Sequence, residues 1–441
     1  MEFVKKHKID CLILMAFFGF ALLLPNNISI WTDELFTLDF VNLSIPELLK
    51  ATAMDIHPPL YYLIVKFFFT LFPFINPAIL GKFVSLILFF SFLEVTYRFI
   101  KANLNECIAV NYVLVVMGCK ILHYCFEIRM YTFASSLVAL AYISGYLLIN
   151  KKCKKFAIVT NLAVLAAMYT HYYAVFAILP LLIYLTINLI KEHEVKLLIK
   201  SIFFQVVCYL PWIIYFISFL GINQSGFGTG YQVSLNQILT YIVVFFSNTN
   251  TFLTLITMVI YVVIVLMALR TINSYDVKFG FICLLSVFSI FVFGNTLGFV
   301  FDKFFSGKYL LLAWNVFVFG ICLFLNNNKR SIYFVCSLFV LNVITYSYAI
   351  KDEFNDIKAT EKFIDFLKGE GSVTCIGNYN DLCEYYSDNV VVELNGEKVS
   401  TDKVVLNSRI DTLNYQWFNP AQVDMYVYNA SDYNAYLDQQ H

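Results

Sequence analysis

The chain has 441 residues, 60% of them hydrophobic and 14% charged, with a mean hydropathy of +0.72. That excludes a wholly soluble protein, whose interior must be balanced by a polar surface, and makes lipid the main solvent. The formal net charge of +0 hides an asymmetry: residues 350 to 441 hold sixteen Asp/Glu against seven Lys/Arg, leaving fourteen acids and twenty-three bases in the first 349. A basic membrane part thus precedes an acidic tail, and no Lys/Arg stripe dense enough for a nucleic-acid groove stands outside short clusters between apolar segments.

Residues 9 to 24, behind Lys5, Lys6 and Lys8, look like a signal peptide, but no small-residue cleavage site follows, so the segment reads as a retained first helix. A helix needs about 20 apolar residues to cross the hydrocarbon core. Eleven segments qualify: 9 to 25, 79 to 97, 107 to 124, 131 to 149, 156 to 170, 172 to 190, 197 to 219, 251 to 269, 279 to 299, 308 to 325 and 331 to 349. The stretch 58 to 73 is apolar but short, opens with Pro58-Pro59 and carries Lys66 at its middle, a costly residue at the bilayer centre. It is expected to be an interfacial or re-entrant helix.

Cytoplasmic loops collect Lys and Arg. With eleven spans and the N-terminus inside, sixteen bases fall inside, among them Arg98, Lys151 to Lys155 and Lys329-Arg330, and seven fall elsewhere: Lys50, Lys66, Lys82, Lys120, Arg129, Lys303 and Lys308. A twelfth span at 58 to 73 would carry Arg98, Lys101 and Lys151 to Lys155 outside. The expectation is therefore an α-helical polytopic membrane protein with its N-terminus inside and its C-terminus outside. Its membrane module spans 1–349 with an outer loop at 26–78, and a soluble extracytoplasmic domain spans 350–441. In that tail a helical pattern at Asp356 to Lys368 and two strand-like runs, Val373 to Ile376 and Val390 to Val392, predict a small α/β domain. Cysteines are scattered without metal-ligand spacing, and Cys375 and Cys383 in the tail are a candidate pair if the compartment is oxidising.

Five of the fourteen acids of the membrane part sit in outer loop 1: Asp33, Glu34, Asp39, Glu47 and Asp55. Adjacent carboxylates at a water boundary, their pKa values pushed apart by burial and repulsion, suit deprotonation of a hydroxyl, although Asp-Glu pairs are also common in polar loops. Arg129, in Glu127-Ile128-Arg129-Met130-Tyr131 at the outer end of a span, suits either a phosphate or a headgroup anchor. Lys308-Tyr309, after Asp302 and Lys303, begins a later span on the same face and offers a second cation for that phosphate, or a second anchor. His57 and His171 also fall at that face, where a lone histidine is commonly a satisfied helix-end residue. Lys120 and His123 receive no role.

Together these motifs resemble the GT-C superfamily of membrane glycosyltransferases, in particular its protein O-mannosyltransferase and aminoarabinose lipid A transferase branch. The residues that carry the resemblance are Trp31-Thr32-Asp33-Glu34, His57-Pro58-Pro59-Leu60-Tyr61-Tyr62, Glu127-Ile128-Arg129-Met130-Tyr131, Thr170-His171-Tyr172 and Lys308-Tyr309. The resemblance implies Asp33 as catalytic base and Glu34 as its helper. It implies His57, Arg129, Lys308, Tyr309, His171 and Tyr61 around the carrier phosphate, with Lys308 standing where relatives often have arginine. The implied reaction moves a sugar from a polyprenyl-phosphate donor to a lipid, glycan or protein hydroxyl at the outer face, with inversion. No Gly-rich phosphate loop and no metal-ligand cluster calls for a nucleotide sugar or an obligatory cofactor. Short loops and a residue usage codable by AT-rich codons point to a bacterial plasma membrane. Three rivals are a lipid or glycan transporter, which predicts repeated halves that the chain lacks, a glycan ligase or polymerase using pyrophosphate carriers, and a non-catalytic assembly protein whose tail binds a partner.

Overall fold

The computed structural model describes residues 8–24, 29–55, 57–117, 121–219, 235–246, 251–301, 305–326, 331–370, 372–376, 383, 385–387, 390–392, 399–406, 409–410, 412–418, 420 and 424–440. Lys120, Asp302 and Lys303 lie outside the described residues, as does most of the expected outer segment 220 to 250.

Helices occupy all eleven predicted segments. The first part of the chain forms α1 (Lys8–Ala21), α2 (Thr32–Asn42), α3 (Ile45–Met54), α4 (Leu60–Leu71), α5 (Pro77–Asn103) and α6 (Glu106–Met117). A single turn, α7 (Ile121–Tyr124), precedes α8 (Tyr131–Lys151), α9 (Lys155–Thr170), α10 (Ala174–Lys191) and α11 (Val195–Ile217). Then come α12 (Leu235–Phe246), α13 (Thr251–Leu269), α14 (Tyr275–Phe301), a 3-10 turn (Gly307–Ala313) leading into α15 (Trp314–Leu325), and α16 (Ser331–Gly369). Among the described residues, seven helical stretches are long and apolar enough to cross a membrane. Phe203, Ile214, Phe252 and Phe288 stand exposed on these helices, a surface that suits lipid and not water. The core between helices is built from large buried side chains, among them Phe89, Tyr142, Phe279 and Phe319.

Outer loop 1 is two short helices, α2 and α3, followed by α4. Ser44 and Glu47 close the start of α3 as a capping box, with the Ser44 hydroxyl donating to Glu47 Oε2 at 2.6 Å and Pro46 fitting the first turn. Lys66, awkward within an apolar helix, extends its ammonium to the carbonyls of Val41 and Leu43 at 2.9 and 2.5 Å, so it caps the C-terminal end of α2. At the opposite, base-rich end of the module, Arg98 joins Glu94 and, at 3.0 Å, Asp10, fastening α5 to α1.

The tail is a five-stranded sheet in the order β2-β1-β3-β5-β4, where β1 is Val373–Ile376, β2 Val390–Val392, β3 Lys403–Leu406, β4 Gln416–Phe418 and β5 Met425–Asn429. The pairs β1–β2 and β1–β3 are parallel, and β5 runs antiparallel to β3 and β4. A last helix, α17 (Ala430–Gln440), follows β5. Cys375 and Cys383 are both buried in the tail's core with Phe363, Leu367 and Val427. The helix predicted at Asp356 to Lys368 is the continuation of the one predicted at 331 to 349. Together they form a single helix of 39 residues, roughly 58 Å long at 1.5 Å per residue.

Candidate active site

Asp33 and Glu34 lie in the first turn of α2, and their surroundings differ sharply. Glu34 is 2% exposed. Its Oε2 accepts from the Trp31 amide at 3.2 Å, and its Oε1 accepts from the Ile128 amide at 2.8 Å. Trp31 offers no side-chain acceptor for a complete capping box, so the glutamate serves the helix end and the neighbouring segment at once. Asp33 is 40% exposed at its side chain.

Arg129 projects from the same neighbouring segment. Its Nη1 donates to the Asp33 carbonyl at 2.8 Å and to Thr37 Oγ1 at 3.3 Å, and its Nη2 stands 3.9 Å from Asp33 Oδ2. The guanidinium also lies beside the Tyr131 ring, 5.8 Å from its centroid. Arg129 is buried, and its Nε has no hydrogen-bond partner among the described residues. Gly81 of α5 lets this segment pack closely: a Cβ there would sit 2.7 Å from Ile128 Cδ1, so any larger residue would push the Ile128 side chain aside.

His57 and His171 meet edge to face with ring centroids 4.9 Å apart, and both are buried. Their bonding fixes opposite tautomers. His57 Nδ1 lies 3.2 Å from Asp55 Oδ2, a carboxylate that only accepts, so Nδ1 carries the proton and Nε2 presents a lone pair. His171 Nδ1 accepts from the Tyr173 amide at 3.2 Å, so its Nε2 carries the proton and is a donor. Neither Nε2 has a partner among the described residues. Burial lowers the pKa of His57, with Asp55 opposing and Arg129 assisting. Burial, then His57 and Arg129, holds His171 well below the ordinary range. Both rings are therefore neutral at pH 7.

Tyr309, in the 3-10 turn, stacks on Tyr173 at 4.7 Å and meets the His171 ring at 5.0 Å. Its backbone neighbour Lys308 places its ammonium 3.6 Å from the centroid of the Trp31 ring. Of the eight residues singled out from sequence, Asp33, Glu34 and Arg129 form one bonded group. His57, His171 and Tyr309 form an adjoining ring cluster, and Lys308 covers Trp31 at the edge. Tyr61 stands apart: it is fully buried, and its hydroxyl shares a 2.6 Å bond with Ser85 of α5. Sequence reasoning counted Asp55 only among the loop acids and gave Thr37 and Tyr173 no part in the site. Asp55 stood only two positions before His57, and that spacing was a usable signal.

The arrangement presents unsatisfied donors at Arg129 Nε and His171 Nε2, an acceptor at His57 Nε2, and an accessible carboxylate at Asp33. Donors of this kind suit a phosphate oxygen, and a lone pair suits a hydroxyl. Among the described residues no group of three or more His, Cys, Asp or Glu side chains is placed to hold a metal ion.

Neither a family model nor a curated protein sequence matches the chain. Solved structures do. The crystal structure of ArnT from Cupriavidus metallidurans bound to undecaprenyl phosphate superposes with a TM-score of 0.58 at 9% identity, covering 95% of this chain and 98% of that one. The same protein in its apo state gives a TM-score of 0.55 at 10% identity, covering 95% and 97%. At that identity the likeness is one of fold, and it extends over nearly the whole of both chains. The protein is a multi-pass membrane protein with the fold of ArnT.

Proposed function

We propose that the protein is a glycosyltransferase that takes a sugar from a polyprenyl-phosphate donor, undecaprenyl phosphate being the carrier bound in the similar ArnT structure, and transfers it to an acceptor hydroxyl. The observation that carries this reading is the pairing of an accessible Asp33 carboxylate with Arg129, whose buried Nε lacks a partner among the described residues. Asp33 accepts the proton of the acceptor hydroxyl as that oxygen forms its bond to the anomeric carbon. The bond from the anomeric carbon to the phosphate oxygen breaks, and its electron pair leaves with the polyprenyl phosphate. Arg129 Nε and His171 Nε2 donate to that departing phosphate. Single displacement inverts the anomeric centre. General-base help of this kind contributes about 10² to 10⁴ in rate, and preorganised donors at the leaving group contribute comparably.

Glu34 is a positioning residue, since both its oxygens serve backbone amides. His57 takes a different part from the phosphate contact that the motif resemblance implies, because its bond to Asp55 turns a lone pair toward the site. A sugar hydroxyl is the natural donor to it. Lys308 sits at the edge, available to the carrier phosphate if it leaves Trp31. In this reading the membrane module is 1–349 and the tail 350–441, with eleven crossings, the N-terminus inside and the site on the extracytoplasmic face of a bacterial plasma membrane. The distribution of Lys and Arg supports that orientation.

The test is transfer of radiolabelled sugar from a panel of synthetic undecaprenyl-phosphate sugars in proteoliposomes, comparing the parent with Asp33→Asn and with Asp39→Asn, an exposed control. Transfer by the parent and the control, lost in Asp33→Asn with carrier binding retained, is the expected result. Full activity in Asp33→Asn would sink the base assignment, and no transfer or carrier binding across the panel would favour a transporter.

A further inference from the structure

The tail grips the strand of chain that leads into the site. Ser29 Oγ donates to Asp356 Oδ2 at 2.8 Å and accepts from Thr360 Oγ1 at 3.1 Å; these two partners lie one turn apart near the tail end of α16. The Tyr386 hydroxyl accepts from the Ile30 amide at 2.9 Å and donates to the Ile30 carbonyl at 3.1 Å, satisfying both polar groups of a residue that is 0% exposed. Trp31 packs against the tail core that contains Phe363, Cys375 and Tyr386. From the membrane side the same three residues are held by other groups, Ile30 in an apolar cluster with Ala78 and Ile128. Lys82 donates to the Ser29 carbonyl, Lys308 lies over Trp31, and Glu34 accepts from the Trp31 amide. Residues 29 to 31 are thus sandwiched between module and tail immediately before Asp33.

We propose that Tyr386 and Asp356 are positioning residues for the reaction at Asp33, and that the tail serves to set the angle and depth of the N-terminal end of α2. This rests on the glycosyltransferase reading given above. Of the groups that meet the carrier phosphate, His171 after α9 stands on a separate segment, and Arg129 after α7 is tied to α2 only through the Asp33 carbonyl and Thr37, so loss of the grip moves the carboxylate most and the donors less. A misplacement of about 1 Å at a reacting group costs on the order of 10² in rate. The grip therefore acts more on kcat than on carrier affinity.

Tyr386→Phe keeps the ring packing and removes both bonds to Ile30, and Ser29→Ala removes the bonds to Asp356 and Thr360. Tyr428→Phe is the control. Its hydroxyl accepts from the Ile410 amide at 2.7 Å inside the tail, so its loss weakens the tail without touching residues 29 to 31. Three quantities are read in proteoliposomes: kcat for sugar transfer, the Kd of undecaprenyl phosphate, and hydrogen exchange at the amides of residues 30 to 38. Tyr386→Phe and Ser29→Ala are expected to lower kcat by about 10- to 100-fold, to leave the Kd within about twofold, and to speed exchange at those amides. Tyr428→Phe is expected to leave all three unchanged. Parent-like kcat and exchange in Tyr386→Phe would overturn the proposal, as would losses in Tyr386→Phe and Tyr428→Phe that merely track their melting temperatures. If the parent transfers no sugar from any carrier, the enzymatic reading fails, and the exchange comparison alone decides whether the tail orders α2.

Discussion

The Glu34 carboxylate bridges the start of α2 and the Ile128 amide, two places 94 residues apart in the chain, with one oxygen for each. Both partners are N–H donors, so the site demands a group that accepts at both ends. Glu34→Gln fails that demand, because its amide nitrogen must face one donor with another. The expected cost is about 1 to 3 kcal/mol of stability, read from thermal or denaturant unfolding in detergent, with a fall in transfer rate as α2 shifts. Glu34→Gln with parent stability would show that water or a moved backbone takes up the orphaned amide.

Arg129 uses its fork: Nη1 holds the Asp33 carbonyl and Thr37, and Nε has no protein partner among the described residues. Lysine has the charge without the fork. Arg129→Lys is expected to weaken undecaprenyl phosphate binding by about tenfold, equivalent to ~1.4 kcal/mol, measured by titration of the carrier in nanodiscs. Unchanged affinity would remove Arg129 from the phosphate.

The two histidines give stability a pH dependence whose sign follows from their lowered pKa values. Below the ordinary value of 6.5, the unfolded chain takes up protons that the buried native rings refuse. Stability is therefore complete above that value and declines as pH falls through it toward the native pKa values. The melting temperature in detergent should be level above neutrality and fall on acidification, with a shallower fall in His171→Phe. An equal slope in that variant would place the sensitivity elsewhere.

Lys66 holds the far end of α2 through the Val41 and Leu43 carbonyls. Lys66→Met keeps the stem and frees both acceptors, and hydrogen bonds to a charged group contribute about 1.5 to 3 kcal/mol. A lowered melting temperature with carrier affinity intact is expected; loss of affinity alone would assign Lys66 to the ligand.

The hydrophobic segments of the sequence located the long apolar helices of the membrane part, because lipid imposes length and composition on whatever crosses it, and gave no sign of α2, α3 or α12. They located ends less well. The predicted span ends at residue 349, whereas α16 continues to Gly369 since no Pro or Gly interrupts it. In the tail, β1 and β2 were legible as apolar runs, whereas β4 and β5 mix aromatic with polar residues and take their identity from pairing with each other and with β3. At the site, short motifs brought out Asp33, Arg129 and His171. The part played by Glu34 was hidden by Trp31 standing where a serine or threonine would announce a cap. Tyr386, 356 residues from Ile30, was beyond any local pattern.

The unbroken course of α16 couples chain length to orientation. An insertion of one residue between positions 350 and 355 would turn everything after it by about 100° and advance it by about 1.5 Å, carrying Asp356 and Thr360 away from Ser29. Deletions act with the opposite hand. A linker absorbs such changes as slack, but here there is none, so the sequence between bilayer and tail is free to vary in composition and held fixed in number. Seven added residues, close to two whole turns, would restore the facing while raising the tail by about 10 Å, so even a length change that keeps phase would part Tyr386 from Ile30.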